Sequence, residues 1–244
     1  MAMASPVVLV HGLRGSSTEW KTLREFLEAH GHPVIALDLP GHGTRIHVPF
    51  SIGESPVTVA NAARSFGTGP VFIVGRGLGG HLAVECGSLI DTVAGVVAIG
   101  CGTQALGWVL DSYRIASTTT HHMLPDGGAT MSSVASSTFM RAGSSGEVAP
   151  SEHFADTLRQ LDALDTRRAL SRLQVPVWLL NGQWDRFRMQ EREFLRAART
   201  SRLVRQPGVR LAARLRHPVP TARLLLGILD GRHPTRSRST LLDR

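Results

Sequence analysis

Short apolar runs alternate along this chain with longer stretches in which apolar residues recur every third or fourth position. Residues 6–10 (PVVLV) predict a buried strand. Residues 18–30 predict a helix with Trp20, Leu23, Phe26 and Leu27 on one face and Gly31 at its end. A second strand is expected over 33–37 and a helix over 57–66, with Pro56 near its start. A third strand, 71–74, runs into a glycine-dense turn, and Leu78, Leu82, Ala83 and Cys86 mark the helix that follows. Further strands are expected over 93–99, 175–180 and 202–205, and helices over 190–200 and 221–229. Buried strands alternating with amphipathic helices predict an α/β fold: a mostly parallel sheet with helices on both faces.

The rhythm breaks after Gly102. The stretch to about Pro150 is rich in Ser, Thr and Gly and carries Trp108, Tyr113, Met123, Phe139 and Met140; residues 152–173 are more helical in pattern. A long structureless loop inside a compact domain is expected to be functional. The expected organisation is therefore a core of residues 1–101 and 175–230, a lid or cap insertion over 102–174, and a basic, flexible tail over 231–244.

The organising stretch is Gly75-Arg76-Gly77-Leu78-Gly79, where the third strand meets its helix. A Gly-x-Ser-x-Gly at such a junction is a nucleophile elbow, a sharp turn that presents a serine hydroxyl above the sheet. Here the frame reads Gly75-x-Gly77-x-Gly79: the turn is present and the serine is not. A phosphate-binding reading competes, because Gly75, Gly77 and Gly80 also fit Gly-x-Gly-x-x-Gly. No Lys-Ser/Thr pair follows, which argues against a P-loop, and the rest of the chain favours the elbow.

Composition narrows the rest. The 27 basic and 19 acidic residues leave a net charge of +8, nearly all from arginine, with Lys21 the only lysine. Nucleic-acid binding would want basic residues interleaved with aromatics. Aromatics make up only 5% of the chain, so the arginines predict a solvated basic surface rather than a nucleic-acid partner. No apolar run reaches membrane-spanning length, and Met1-Ala2-Met3-Ala4-Ser5 lacks the basic region of a secretory leader. Cys86 and Cys101 make no disulfide framework. A cytoplasmic protein without a membrane partner is the expectation.

Taken together, several landmarks resemble the α/β-hydrolase family across nearly the whole chain: the strand ending in His11-Gly12, the Asp38-Leu39-Pro40-Gly41-His42-Gly43 loop, the elbow frame, a lid after Ile99 and a strand leading to Asp185. Because the chain starts directly on the His-Gly strand, it is similar to the compact branch that includes plant methyl esterases and hydroxynitrile lyases. The resemblance implies a site at the carboxyl ends of the strands and a serine, acid, histidine triad in that chain order. Gly77 stands at the serine position and Asp185 at the acid position. An ungapped match from Pro207 to Pro218 puts Leu211 at the histidine position; a gap would promote His217. The resemblance also assigns the two oxyanion-binding N–H groups to Leu78 and Leu13, donors that need no particular side chain.

The remaining candidates keep two readings each. Arg76 is either a salt-bridging residue beneath the turn or a cation that assists substrate. Asp185 either accepts a proton, its pKa raised by apolar neighbours such as Trp184, or pairs with Arg186 or Arg210. His11 is either structural or the remaining imidazole nearest the oxyanion donors. Gly12, Trp184, Trp108, Tyr113 and Cys101 are candidate substrate contacts, although a buried inert thiol suits Cys101 as well. His121-His122 lacks the spacing of a metal site, so neither metal nor cofactor is expected. The function expected is cofactor-free proton-transfer chemistry (cyclisation, C–C bond formation or elimination) on a carbonyl or phenolic small molecule in specialised biosynthesis. A non-catalytic binding protein and a hydrolase with a displaced histidine base are the alternatives.

Overall fold

The computed structural model describes residues 4–67, 69–104, 157, 159–183, 188–206 and 219–237. Among them, seven strands form one sheet in the order β2-β1-β3-β4-β5-β6-β7. These are β1 (Val7–Val10), β2 (Val34–Leu37), β3 (Val71–Arg76), β4 (Val93–Ile99), β5 (Val177–Gly182), β6 (Thr200–Gln206) and β7 (Arg236–Ser237). All neighbours pair in parallel except β6 and β7. The carboxyl ends of six strands therefore lie along one edge, where ligands of open α/β sheets bind.

Side chains alternate across the sheet with period two. On one face, Val8, Val10, Ile73, Val96, Ala98 and Leu179 pack against α2 (Glu54–Arg64), α3 (Leu78–Gly87), α4 (Thr166–Arg172) and α5 (Glu191–Ala197). On the other, Val7, Leu9, Val74, Val97, Ile99 and Leu180 pack against α1 (Lys21–Ala29) and α6 (Val219–Leu229). Every residue of β1 and β5 is buried, as expected of strands covered on both sides.

Three boundaries differ from the sequence reading. Helix α2 begins at Glu54, so Pro56 lies within the first turn, where its missing N–H removes no intrahelical bond. The segment expected to end the lid joins the main core: Leu161, Leu164, Leu170 and Leu173 are buried there, and the Gln160 carboxamide accepts from Ile52 N–H and donates to Phe50 O. The tail expected to fray from Gly231 is instead tied down as far as Ser237. Strand β7 pairs with the start of β6, and the Trp178 indole N–H donates to His233 O at 2.7 Å. A short charged edge strand of this kind also closes a sheet to further pairing. Residues 105–156, within the expected lid, lie outside the described residues, as do 238–244.

Candidate functional site

The elbow is built by missing side chains. A Cβ at Gly75 would overlap the carbonyl of Gly79, and one at Gly79 would overlap the carbonyls of Val10 and His11. Only glycines allow α3 to start this close to β3 and β1. Between them Gly77 turns the chain at φ 52°, ψ −115°, a conformation that strains any residue with a Cβ. Its N–H donates to Ile99 O at 2.9 Å, and its carbonyl accepts from Gly80 and His81. Among the described residues, a Cβ at Gly77 would meet nothing within 4 Å. No described residue thus crowds the position where a hydroxyl would stand, and glycine puts no nucleophile there.

Beside it runs the turn after β1. Among the described residues, the N–H groups of Leu13 and Leu78 have no acceptor. Leu78 opens α3, where N–H groups lack intrahelical partners and the helix dipole is positive. Both are donors suited to a negative oxygen.

Arg76 donates to the Glu19 carboxylate through Nε at 3.0 Å and Nη2 at 2.5 Å. The Glu19 side chain is 3% exposed, and that of Arg76 15%. Arg76 is thus ion-paired beneath the turn, and its charge is compensated there. Nothing in the sequence singled out Glu19, which reads as one more polar position of a helix whose apolar face is Trp20, Leu23 and Leu27; only the third dimension brings it to Arg76.

His11 is fully buried, and both of its ring nitrogens are engaged. Leu39 N–H donates to Nε2 at 3.1 Å, which makes Nε2 the acceptor and places the proton on Nδ1, 2.8 Å from Gly12 O. Burial, assisted by His42, lowers its pKa to about 3. Of the two readings of His11, this geometry favours the structural one: both ring nitrogens are used within the fold, and the ring ties the end of β1 to the loop after β2. His42 sits beside it, ring centroids 4.9 Å apart, bridging Leu13 O and Pro40 O. Asp38 fastens the same loop by accepting from Ser17 N–H and from the N–H and hydroxyl of Thr44. Burial pushes its carboxyl up, but these hydrogen bonds outweigh it and hold the pKa below the ordinary value.

Cys101 is 1% exposed and packs against Gly80, where an added Cβ would meet its Cβ at 2.9 Å. Burial pushes its thiol far above the usual range. That protonated, enclosed thiol packs within the core on the α3 side of the sheet. Gly12 lies against the Arg76 guanidinium, with room for no Cβ.

A second polar cluster lies at the ends of β5 and β6. Glu191, 3% exposed, accepts from Asn181 Nδ2 at 2.9 Å and from Arg205 at 2.7 and 3.0 Å, with Arg188 Nε 3.3 Å away. Asn181 and Arg205 are register partners, so one carboxylate joins the two strand ends that lead to the acid and histidine positions. Sequence reasoning missed Glu191 because it reads as an ordinary first-turn acid of α5. Asp185, Trp184, Leu211, His217, Trp108, Tyr113 and the pair His121-His122 lie outside the described residues.

Away from the elbow, a cleft of about 300 Å³ is lined by Gln104, Asp162, Asp165, Arg167, Gln190 and Phe194 among others. Nearby, His81 Nδ1 meets the Thr166 hydroxyl at 2.6 Å, and burial lowers its pKa to about 4. Among the described residues no group of three His, Cys, Asp or Glu could hold a metal ion, and no helix is long and apolar enough to cross a membrane.

Known proteins share this architecture. Rv0554 from Mycobacterium tuberculosis superposes with a TM-score of 0.75 at 16% identity, over 95% of this chain and 92% of that one. The enol-lactonase from Burkholderia xenovorans LB400 gives 0.72 at 17% identity, over 93% and 92%. A thermophilic esterase from Thermogutta terrifontis gives 0.72 at 21%, over 96% and 92%. At such identities the likeness is one of fold. In sequence, esterase Rv0045c of Mycobacterium tuberculosis is 29% identical over 99 residues, 39% of this chain and 32% of that protein. An AB hydrolase superfamily protein of Gibberella zeae is 27% identical over 84 residues, 34% of this chain and 30% of its own length. The chain thus matches about a third of the length of these curated relatives. The model of the alpha/beta hydrolase family matches residues 7–233. With the sheet order and the glycine turn in place, the chain belongs to the alpha/beta hydrolase family.

Proposed function

We propose that this chain is an enzyme that has exchanged acyl-enzyme hydrolysis for cofactor-free proton transfer on a small carbonyl or phenolic molecule. The observation that carries the reading is the elbow: its backbone turn is complete, no described residue crowds a Cβ at Gly77, two N–H donors flank it, and no nucleophile stands on it. Glycine has no atom to attack a carbonyl. Enolates and phenolates carry the same negative oxygen as a tetrahedral intermediate, and preorganised donors are worth roughly 3–4 kcal/mol to such a charge. With the His11 nitrogens engaged, Asp185 takes the substrate proton. Lyases of the compact branch that the sequence resembles make such chemistry natural for the fold, and cyclisation, C–C bond formation or elimination in specialised biosynthesis would use it.

The test is exchange at the α-carbon of enolisable ketones and thioesters in D2O, followed by proton NMR. Exchange without hydrolysis, lost in Asp185→Asn, is expected. Binding without exchange or turnover would mean a binding protein that kept the pocket.

A second reading is favoured by the esterase and hydrolase descriptions of the similar proteins: hydrolysis by water activated directly, with His217 as the displaced base. Ester turnover lost in His217→Ala would establish it and overturn the first.

A further inference from the structure

We propose that Glu19 and Arg76 are positioning residues that hold the Gly12-Leu13 backbone, and with it the Leu13 N–H, against the elbow. This rests on the reading of Leu13 and Leu78 as the oxyanion donors, and goes further by naming what fixes one donor relative to the other. Leu78 belongs to α3 and is held by the helix. Leu13 sits on a turn, and a donor is useful to a developing charge only when it is held before the charge forms.

Arg76 is the last residue of β3 and the neighbour of Gly77; Glu19 lies in the short 3-10 turn before α1. Their bidentate pair joins the two segments from opposite sides of the turn. Glu19 Oε1 also faces Gly12 N–H at 3.4 Å. The guanidinium lies flat on Gly12, 2.9–3.3 Å from where a Cβ would be, and the Glu19 carboxylate fills the corresponding space at Gly15. The pair therefore occupies the space that a side chain would take at both glycines. His11 Nδ1–H on Gly12 O closes the remaining side. Two buried, opposite charges in fork-to-fork contact fix geometry more tightly than neutral hydrogen bonds do. Because they cancel, the turn is braced without adding a net charge beside the amides.

The experiment titrates 15N-labelled protein with 4-nitrophenolate and follows the Leu13 and Leu78 amide signals. In the wild type both are expected to shift. The double variant Glu19→Gln/Arg76→Gln keeps the net charge and a hydrogen-bonding pair but loses the ionic fork. There Leu78 is expected to respond while Leu13 does not, with affinity weakened about tenfold, the weight of one charged hydrogen bond. A general loosening of the fold would move both amides together. Should the double variant not fold, Glu19→Asp withdraws the carboxylate by one methylene and is expected to weaken the Leu13 response alone. A wild-type Leu13 response in either variant would overturn the brace and leave the oxyanion reading standing. Silence of both amides in the wild type would overturn the oxyanion reading, and the brace with it.

Discussion

At the elbow the chain is held by side chains that are absent; at the ends of β5 and β6 it is held by charged ones that are present. Gly75 and Gly79 let α3 touch β3 and β1, and the donors proposed for the site are backbone N–H groups. Glu191, by contrast, gathers Asn181, Arg205 and Arg188 around one buried carboxylate. The difference separates two ways of holding a strand end in this fold. A site made of backbone persists whatever stands at Gly77, whereas a site made of side chains is lost one substitution at a time.

The sharpest way to break the elbow half is Gly79→Ala. Its Cβ would collide with two backbone carbonyls, so overpacking is expected to remove at least about 3 kcal/mol of stability in denaturant unfolding. An alanine tolerated there would show that α3 does not start as close to β1 as described. In the other half, Glu191→Ala leaves the Asn181 carboxamide without its acceptor and Arg188 without its counter-charge. A loss of about 2–3 kcal/mol is expected, much of it recovered by Glu191→Gln; the half-exposed Arg205 contributes little to it.

A pH titration sharpens the comparison further. His11 and His81 are held neutral, with pKa values of about 3 and about 4 against 6.5 for the unfolded chain. The unfolded state therefore binds more protons below pH 6.5. Stability is level above that pH and falls as the pH drops toward 4. A loss of about 1 kcal/mol per group is expected between pH 6.5 and 5.5, and His11→Gln should remove the share of His11. The smallest effect belongs to Gly77→Ser. Among the described residues nothing crowds the new side chain, its positive φ opposes it, and a loss of about 1 kcal/mol is expected in thermal unfolding.

The strands were legible from short apolar runs because both faces of the sheet are covered, and the elbow from three glycines, two of which allow close backbone approach while Gly77 takes a positive φ. The Asp38 loop and the His11-Gly12 turn were legible as a resemblance, but their chemistry was not. His11 looks like an available base until Leu39 and Gly12 are seen to occupy both nitrogens. Glu19 and Glu191 were invisible for the opposite reason: each is a polar residue on a helical segment, and its partner is remote in sequence or on a neighbouring strand. The edge strand Arg236–Ser237 was missed because a basic tail carries no apolar signal; Trp178 and β6 hold it in place.

The most direct measurement mixes the wild type and Gly77→Ser with 4-nitrophenyl esters and follows both nitrophenolate release and protein mass. A site of backbone donors without a nucleophile predicts that the wild type releases nothing above the buffer rate and gains no acyl group. A burst of nitrophenolate with an acyl adduct on the wild-type protein would contradict it.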